Sequence, residues 1–269
     1  MSVIQPISRP IATGIREPLQ GFHKDTLDYF QRLQNAGAYL PKYDIANDYL
    51  IRALANLGGA YWDSMGVFNP FVGKTFAGLT VPLRDGMDVP ANVGFVSSDW
   101  VDATGLNGDG SSYLDSNRHG TDDPQDDFSM GAWAYDAANL GAGFLGSGTS
   151  QAGSAFLYQS GAATTIQTRF RSSGLDSVAG VTSGWTGYIG ASRSSAAGFD
   201  VRVDGATTAK VRASDGRYAT DYIIFGRGGM ISPQAFLTSR LSLYHIGPAV
   251  DVAVMDTICT NFMALIANA

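Results

Sequence analysis

The feature that most constrains this chain is a change of hydrophobic period: from about residue 79 onward, apolar residues recur at every second position. Thr164 to Arg171 states it most clearly, with Ile166, Thr168 and Phe170 on one face and Gln167, Arg169 and Arg171 on the other. A strand with one buried face requires this pattern, because successive side chains point to opposite sides of a sheet. Phe199, Val201 and Val203 alternate with Asp200, Arg202 and Asp204 in the same way. Asp204–Gly205 and Asp215–Gly216 bracket a further candidate strand, Lys210 to Ala213, as hairpin turns do. Segments 128–135, 155–159, 188–193, 222–226 and 240–246 add more short strands. The 33 glycines in 269 residues follow no Gly-x-y period, so they read as tight turns. Many short strands joined by glycine-rich turns predict a mainly β chain folded as a sandwich or jelly roll.

Ahead of the strands lie two other kinds of segment. Pro6, Pro10 and Pro18 keep residues 1–22 out of a helix, while Ile4, Ile7, Ile11 and Ile15 place apolar groups where nothing local buries them. This reads as an extended arm spanning about 60–70 Å, at some 3.3 Å per residue or less. Ordering such an arm costs about 1–2 kcal/mol per residue, so packing along its length has to compensate. The expectation is an assembly arm whose isoleucines lie on other chains. Residues 23–78 read as a helical head. Asp25 is placed to cap a helix carrying Leu27, Phe30 and Leu33, and Asp44 a second one carrying Leu50, Leu54 and Leu57. Both are short, so they must dock on something, with Trp62, Phe68, Phe71 and Phe76 as the seam. Residues 79–269 hold the strands and close with a helix from Val252 to Ala267, capped by Asp251 behind Pro248.

Charge and cysteine usage narrow the functional classes. A net charge of −6 makes the phosphate backbone of nucleic acid a poor partner. No run of 18 apolar residues and no signal-peptide pattern is present, so no membrane partner is expected. Cys259 is the only cysteine, which excludes an internal disulfide and a cysteine-based zinc site. Its position on the apolar face of the last helix predicts a buried, inert thiol.

Four stretches carry a resemblance. They are Gly105-Leu-Asn-Gly-Asp-Gly with Tyr113-Leu-Asp; Gly187-Tyr-Ile-Gly-Ala-Ser-Arg through Asp204-Gly; Ile223-Ile-Phe-Gly-Arg; and Arg240-Leu-Ser-Leu-Tyr-His-Ile-Gly with the helix after it. Together with Asn69-Pro-Phe-Val-Gly they resemble a family of bacteriophage virion proteins with a concanavalin A-like, laminin-G-like sandwich. The resemblance covers about residues 60–269 and implies a structural virion component: a fibre, a decoration protein or a tail-associated subunit. Its implied partners are other virion proteins and further copies of itself, and its implied location is the virion. It does not say which part of the particle.

Concanavalin-like glucanases carry two glutamates and an aspartate close together on one strand, and glycosidases need a pair of carboxylates. Glu17 is the only glutamate here and it lies in the arm. No Asp-x-Asp-x-x-Asp run falls on a candidate strand. Gly190-Ala-Ser192-Arg-Ser194 lacks the last glycine of a nucleophile elbow. His23, His119 and His245 are the only imidazoles, and each reads as a surface or core-edge residue. The expectation is no enzyme. For a cofactor, the resemblance implies only calcium at a loop rim. Asp122, Asp123, Asp126 and Asp127 are the candidate oxygen ligands, beside Asp109 and Asp115. Their spacing matches no EF-hand, and a solvated acidic loop is the simpler reading. The alternative function is a receptor-binding adhesin that grips host surface glycan through the sandwich loops. Trp185, behind a Ser-Gly turn, is the candidate aromatic platform. Arg169 and Arg171, on the polar face of their strand, are candidates for an acidic glycan or a neighbouring subunit. Trp133 reads as core.

Overall fold

The computed structural model describes residues 21–137, 141–149, 151–161, 165–179, 181–228 and 233–269. Ile4, Ile7, Ile11 and Ile15 of the expected arm lie outside the described residues. Strands are numbered along the chain. One antiparallel sheet runs, in hydrogen-bonded order, β13 (Ala206–Val211), β12 (Gly198–Val203), β11 (Trp185–Ser195), β6 (Phe128–Ala137), β15 (Arg240–Gly247), β4 (Gly105–Asn107) and β3 (Trp100–Val101). β1 (Val67–Pro70) joins it by pairing with β15. The other sheet runs β10 (Asp176–Ala179), β9 (Thr165–Phe170), β8 (Ala155–Gln159), β7 (Gly143–Ser147), β14 (Asp221–Ile224), β5 (Tyr113–His119) and β2 (Ala91–Val93). The two sheets form a sandwich, as the alternation and turn chemistry predict.

Between the sheets lies the first core. Phe128 stacks on Phe170 and on Tyr222, with ring centroids 5.1 and 5.5 Å apart. Val201, Ile189, Leu157, Ile166 and Leu241 fill the space around them. The alternating residues called inward from sequence, Ile166, Thr168 and Phe170, are all fully buried.

A second core lies on the other side of the first sheet. There four helices, α1 (Lys24–Asn35), α2 (Asp44–Ala55), α3 (Gly59–Ser64) and α4 (Val252–Ala267), bury their apolar faces. Leu33, Leu50, Leu54 and Trp62 form one cluster with Met255, Phe262 and Ile266 of α4 and with Phe68, Trp133, Tyr188 and Leu243 of the sheet. Trp62 and Phe68 thus belong to the helical seam, whereas Phe71 lies in the core between the sheets.

Local chemistry sets the helix ends. Asp251 caps α4 by accepting the Ala253 N–H at 2.8 Å, as its position behind Pro248 predicts. Two other caps differ from expectation. His23 rather than Asp25 caps α1, its Nδ1 accepting the Asp25 N–H at 3.3 Å. Asp25 instead accepts the Trp62 indole N–H at 2.8 Å and ties α1 to α3. Asp44 opens α2 from within its first turn, because Pro41 starts a 3-10 turn, Pro41–Tyr43, that runs straight into the helix. β13 also differs: it begins directly after the Asp204–Gly205 turn, at Ala206 and not at Lys210.

Candidate binding site

Trp185 opens β11 at an end of the first sheet where β6, β11 and β12 all terminate. The pairing of β11 with β6 slips between Trp185 and Gly187. This irregularity turns the indole back along its own strand. An added Cβ at Gly187 would lie 2.8 Å from the ring, so glycine is what lets the indole lie there. Trp185 is partly buried and packs against the core between the sheets. The indole N–H donates to Asp204 Oδ1 at 3.0 Å. Asp204 has φ 50° and is followed by Gly205 at φ 73°, the left-handed pair of a type I′ hairpin turn. Beside them Asp136, at φ 54°, donates its backbone N–H to Thr186 Oγ1 at 3.1 Å. The rim therefore gathers one indole, the exposed carboxylates of Asp136 and Asp204, and the Thr186 hydroxyl. An aromatic face flanked by hydrogen-bond acceptors is suited to a sugar ring, whose C–H face stacks while its hydroxyls donate. Sequence reasoning found Trp185 but not its two aspartates. Asp204–Gly205 was legible only as a turn, and Asp136 follows an almost wholly apolar run.

The two arginines of β9 and its extension part company. Arg169 stays on the outer side of the sheet, opposite Phe156, and its Nη1 donates to the Ser173 carbonyl at 2.6 Å. Arg171 corrects the sequence reading. It is fully buried, so it offers nothing to a glycan or a neighbouring subunit. The alternation ends at Phe170, and a φ of 55° at Arg171 turns its side chain inward. There the guanidinium lies 3.9 Å over the Phe128 ring and donates to the carbonyls of Asp123, Pro124 and Gly120 and to Tyr222 Oη. It is a fastener for the acidic loop.

That loop is the second correction. The carboxylates of Asp122, Asp123, Asp126 and Asp127 do not converge. Asp123 is buried and takes two hydrogen bonds from Arg118, at 3.0 and 2.6 Å. Asp122 accepts the His119 N–H at 2.7 Å and Asp127 the Ala249 N–H at 2.7 Å. Asp126 and Arg193 interact only through their charges. Asp109 is saturated by the Ser111 and Ser112 amides and hydroxyls, which hold its carboxyl well below the usual carboxylate range. Among the described residues no group of three acidic, histidine or cysteine side chains is placed to hold a metal ion. Asp122, Asp123 and Asp127 serve as loop fasteners because backbone N–H groups and Arg118 reach them first, whereas Asp126 Oδ1 is buried without a hydrogen-bond partner.

His245 also departs from a surface or core-edge position. It is fully buried under the helical layer, stacked between Phe68 and Tyr188, with Tyr188 Oη 2.8 Å from its Nε2. Burial pulls its pKa down to about 3. Cys259 is buried as expected, and the same cause pushes its thiol up.

No protein-family model matches the sequence, and no curated protein matches it either. Solved structures do match by shape. The botulinum neurotoxin serotype D binding domain superposes with a TM-score of 0.54 at 8% identity, covering 78% of this chain and 52% of that one. A second structure, of the receptor binding domain of botulinum neurotoxin D, gives 0.52 at 7%, over 74% and 53%. A mutant Trypanosoma rangeli sialidase that displays trans-sialidase activity gives 0.53 at 12%, over 89% and 38%. The likeness is one of fold. The chain is a β-sandwich. It spans about half of the length of the toxin domains and less of the sialidase. At these identities the residues of a site are not carried across, so the Trp185 rim stands on its own geometry.

Proposed function

We propose that this chain is a non-catalytic structural subunit of a bacteriophage particle: a fibre, decoration or tail-associated protein anchored by residues 1–22. The observation that carries this reading is where the family-like stretches fall. Arg240-Leu-Ser-Leu-Tyr-His-Ile-Gly is β15, at the middle of the first sheet, bonded to β6 on one side and to β1 and β4 on the other. Gly187 to Gly205 is the β11–β12 hairpin beside them. Ile223-Ile-Phe-Gly-Arg and Tyr113-Leu-Asp are neighbours on β14 and β5. The resemblance thus follows the frame of the sandwich, which is the part a virion subunit has to keep rigid. The hydrogen bonds that engage Asp109, Asp122, Asp123, Asp127 and His245 within the fold support the non-catalytic half of the reading. Antibodies raised against the folded chain are expected to label purified phage particles. Particles that assemble with the chain absent from them would overturn the assignment.

A second reading is favoured by the Trp185 rim: the sandwich is a receptor-binding module that grips host surface glycan. The toxin domains named above are described as binding and receptor-binding domains, which accords with this use of the fold. Trp185→Ala is expected to lower glycan-array binding by about ten-fold or more, the loss of one stacking platform, in a variant that stays folded by circular dichroism. Equal binding by wild type and variant would remove the rim from consideration.

A further inference from the structure

The second sheet carries on its outer face an arrangement that neither reading uses. Phe156 and Tyr158 on β8 stand opposite Arg169 and Gln167 on β9, so these four share one face, while Leu157 and Ile166 turn inward to the core. On the other side of β8 the next strand, β7, presents glycine. An added Cβ at Gly146 would lie 2.3 Å from Phe156 Cβ, and one at Gly143 would lie 2.8 Å from the Gly226 carbonyl. Arg227, just beyond β14 and bridged to Gln234 by a pair of backbone hydrogen bonds, reaches across this bare strip. Its guanidinium carbon lies 4.7 Å from the Tyr158 ring centroid and 5.2 Å from that of Phe156.

What distinguishes Arg227 is what it lacks. Among the described arginines it alone has a guanidinium with no side-chain hydrogen bond and no ion pair, and its Nε is buried without a partner. Partial burial pulls its basicity down, yet a guanidinium stays protonated in a protein. Aromatic rings attract the face of the cation, and that leaves its in-plane N–H groups unused. A half-buried cation whose donors are free is matched by an anion that can accept two of them at once, and a carboxylate does so. Arg169, whose Nη1 donates to the Ser173 carbonyl, adds a second cation on the same face. The acidic groups on the strands of this sheet are Asp115 and Asp221, on β5 and β14 across the glycine strip, and Asp176 on β10, which pairs opposite the inward-facing Thr168 and is held by Arg212. In a chain of net charge −6 this is a local reversal of sign.

We propose that this face binds a carboxylate-bearing saccharide, with the carboxylate on the edge of Arg227, Arg169 as the second cation and Gln167 bonding to ring hydroxyls. The amide of Gln167, donor and acceptor together, complements adjacent sugar hydroxyls, and hexaglutamate in the test below separates a sugar from an acidic peptide. The site is separate from the Trp185 rim, so either can fail without the other. The test titrates the full chain with 3′-sialyllactose, digalacturonic acid, lactose and hexaglutamate, following binding by calorimetry. At least one acidic saccharide is expected to bind, with lactose and hexaglutamate about ten-fold weaker or worse. Arg227→Gln should lose that binding by a similar factor at an unchanged melting temperature, Arg227→Lys should restore part of it, and Trp185→Ala should leave it intact. Added salt should weaken it in the wild type. Binding by neither acidic saccharide, equal binding of hexaglutamate, or an Arg227→Gln variant that binds like wild type would each overturn the proposal.

Discussion

Deleting residues 251–269 is expected to leave a chain without a cooperative unfolding transition. α4 buries Val252, Met255, Ile258, Cys259, Phe262, Met263 and Ile266. At about 1.5–3 kcal/mol for each large side chain, the gross contribution is roughly 10–20 kcal/mol. A domain's net stability is about 5–15 kcal/mol, so the helix is not dispensable. Its loss would also uncover Leu50, Leu54, Trp133, Tyr188 and Leu243, which share its core. The milder Phe262→Ala should cost about 3–5 kcal/mol, through lost burial and the cavity that remains. Near- and far-ultraviolet circular dichroism through a thermal ramp reads both effects. A deletion variant melting at the wild-type temperature would show that the helical layer and the sandwich are energetically separate.

Acid should unfold the protein earlier than its carboxylates alone would dictate. His245 has an ordinary pKa of 6.5 that burial lowers to about 3 in the folded chain. Between those values the unfolded chain binds a proton that the folded one refuses. Stability therefore falls as pH falls through that window, by at most about 1.4 kcal/mol per pH unit and roughly 3–5 kcal/mol in all. The carboxylates held low by hydrogen bonds, Asp109 and Asp48, lose their contribution only as pH drops below the usual carboxylate range near 3.8. Asp44 and Asp115 are raised by burial and act in the opposite sense just above 3.8. The slope from pH 6.5 down to about 5 is thus the signature of His245. Around the imidazole stand Phe68, Tyr188 and the backbone of Gly131, with the Arg202–Asp256 ion pair beyond Tyr188. His245→Gln keeps an amide for Tyr188 and should flatten that slope in urea-denaturation midpoints measured across pH. An unaltered slope in the variant would mean that another group carries the proton linkage.

Particular elements show how much could be read in advance. β8 and α4 agree at both ends with the segments expected from sequence, because each has a definite boundary: Asp251 behind Pro248 in one case, a short run from Ala155 to Gln159 set between Gly153 and Gly161 in the other. β13 was misplaced because its residues Ala206 to Ala209 are all exposed, so no alternation marks an edge strand that packs on nothing. β5 and β7 were missed for opposite reasons, one being polar (Tyr113 to His119) and the other glycine-rich (Gly143 to Ser147). For the site, Trp185 was visible as an aromatic beside a turn. Arg171 and His245 were not readable, since a positive φ overrides alternation in the first case and a covering helical layer buries the outward face in the second. Arg227 carries no local signal at all. Its interest comes from the absence of a counter-charge, and that is a property of the folded surroundings.

The position of β15 has a consequence for how the chain reaches this state. Leu243 to Ile246 of β15 pair with β1, whose residues lie about 175 positions away in the chain, and such distant pairings slow a folding reaction. Until Arg240 to Gly247 is available, β6 lacks one neighbour and β1 and β4 lack their partner in the sheet, leaving three open edges near the middle of the sheet. During synthesis, then, the chain has to leave the ribosome as far as Gly247 before the first sheet can be completed, and until then a nascent chain waits with adhesive borders exposed.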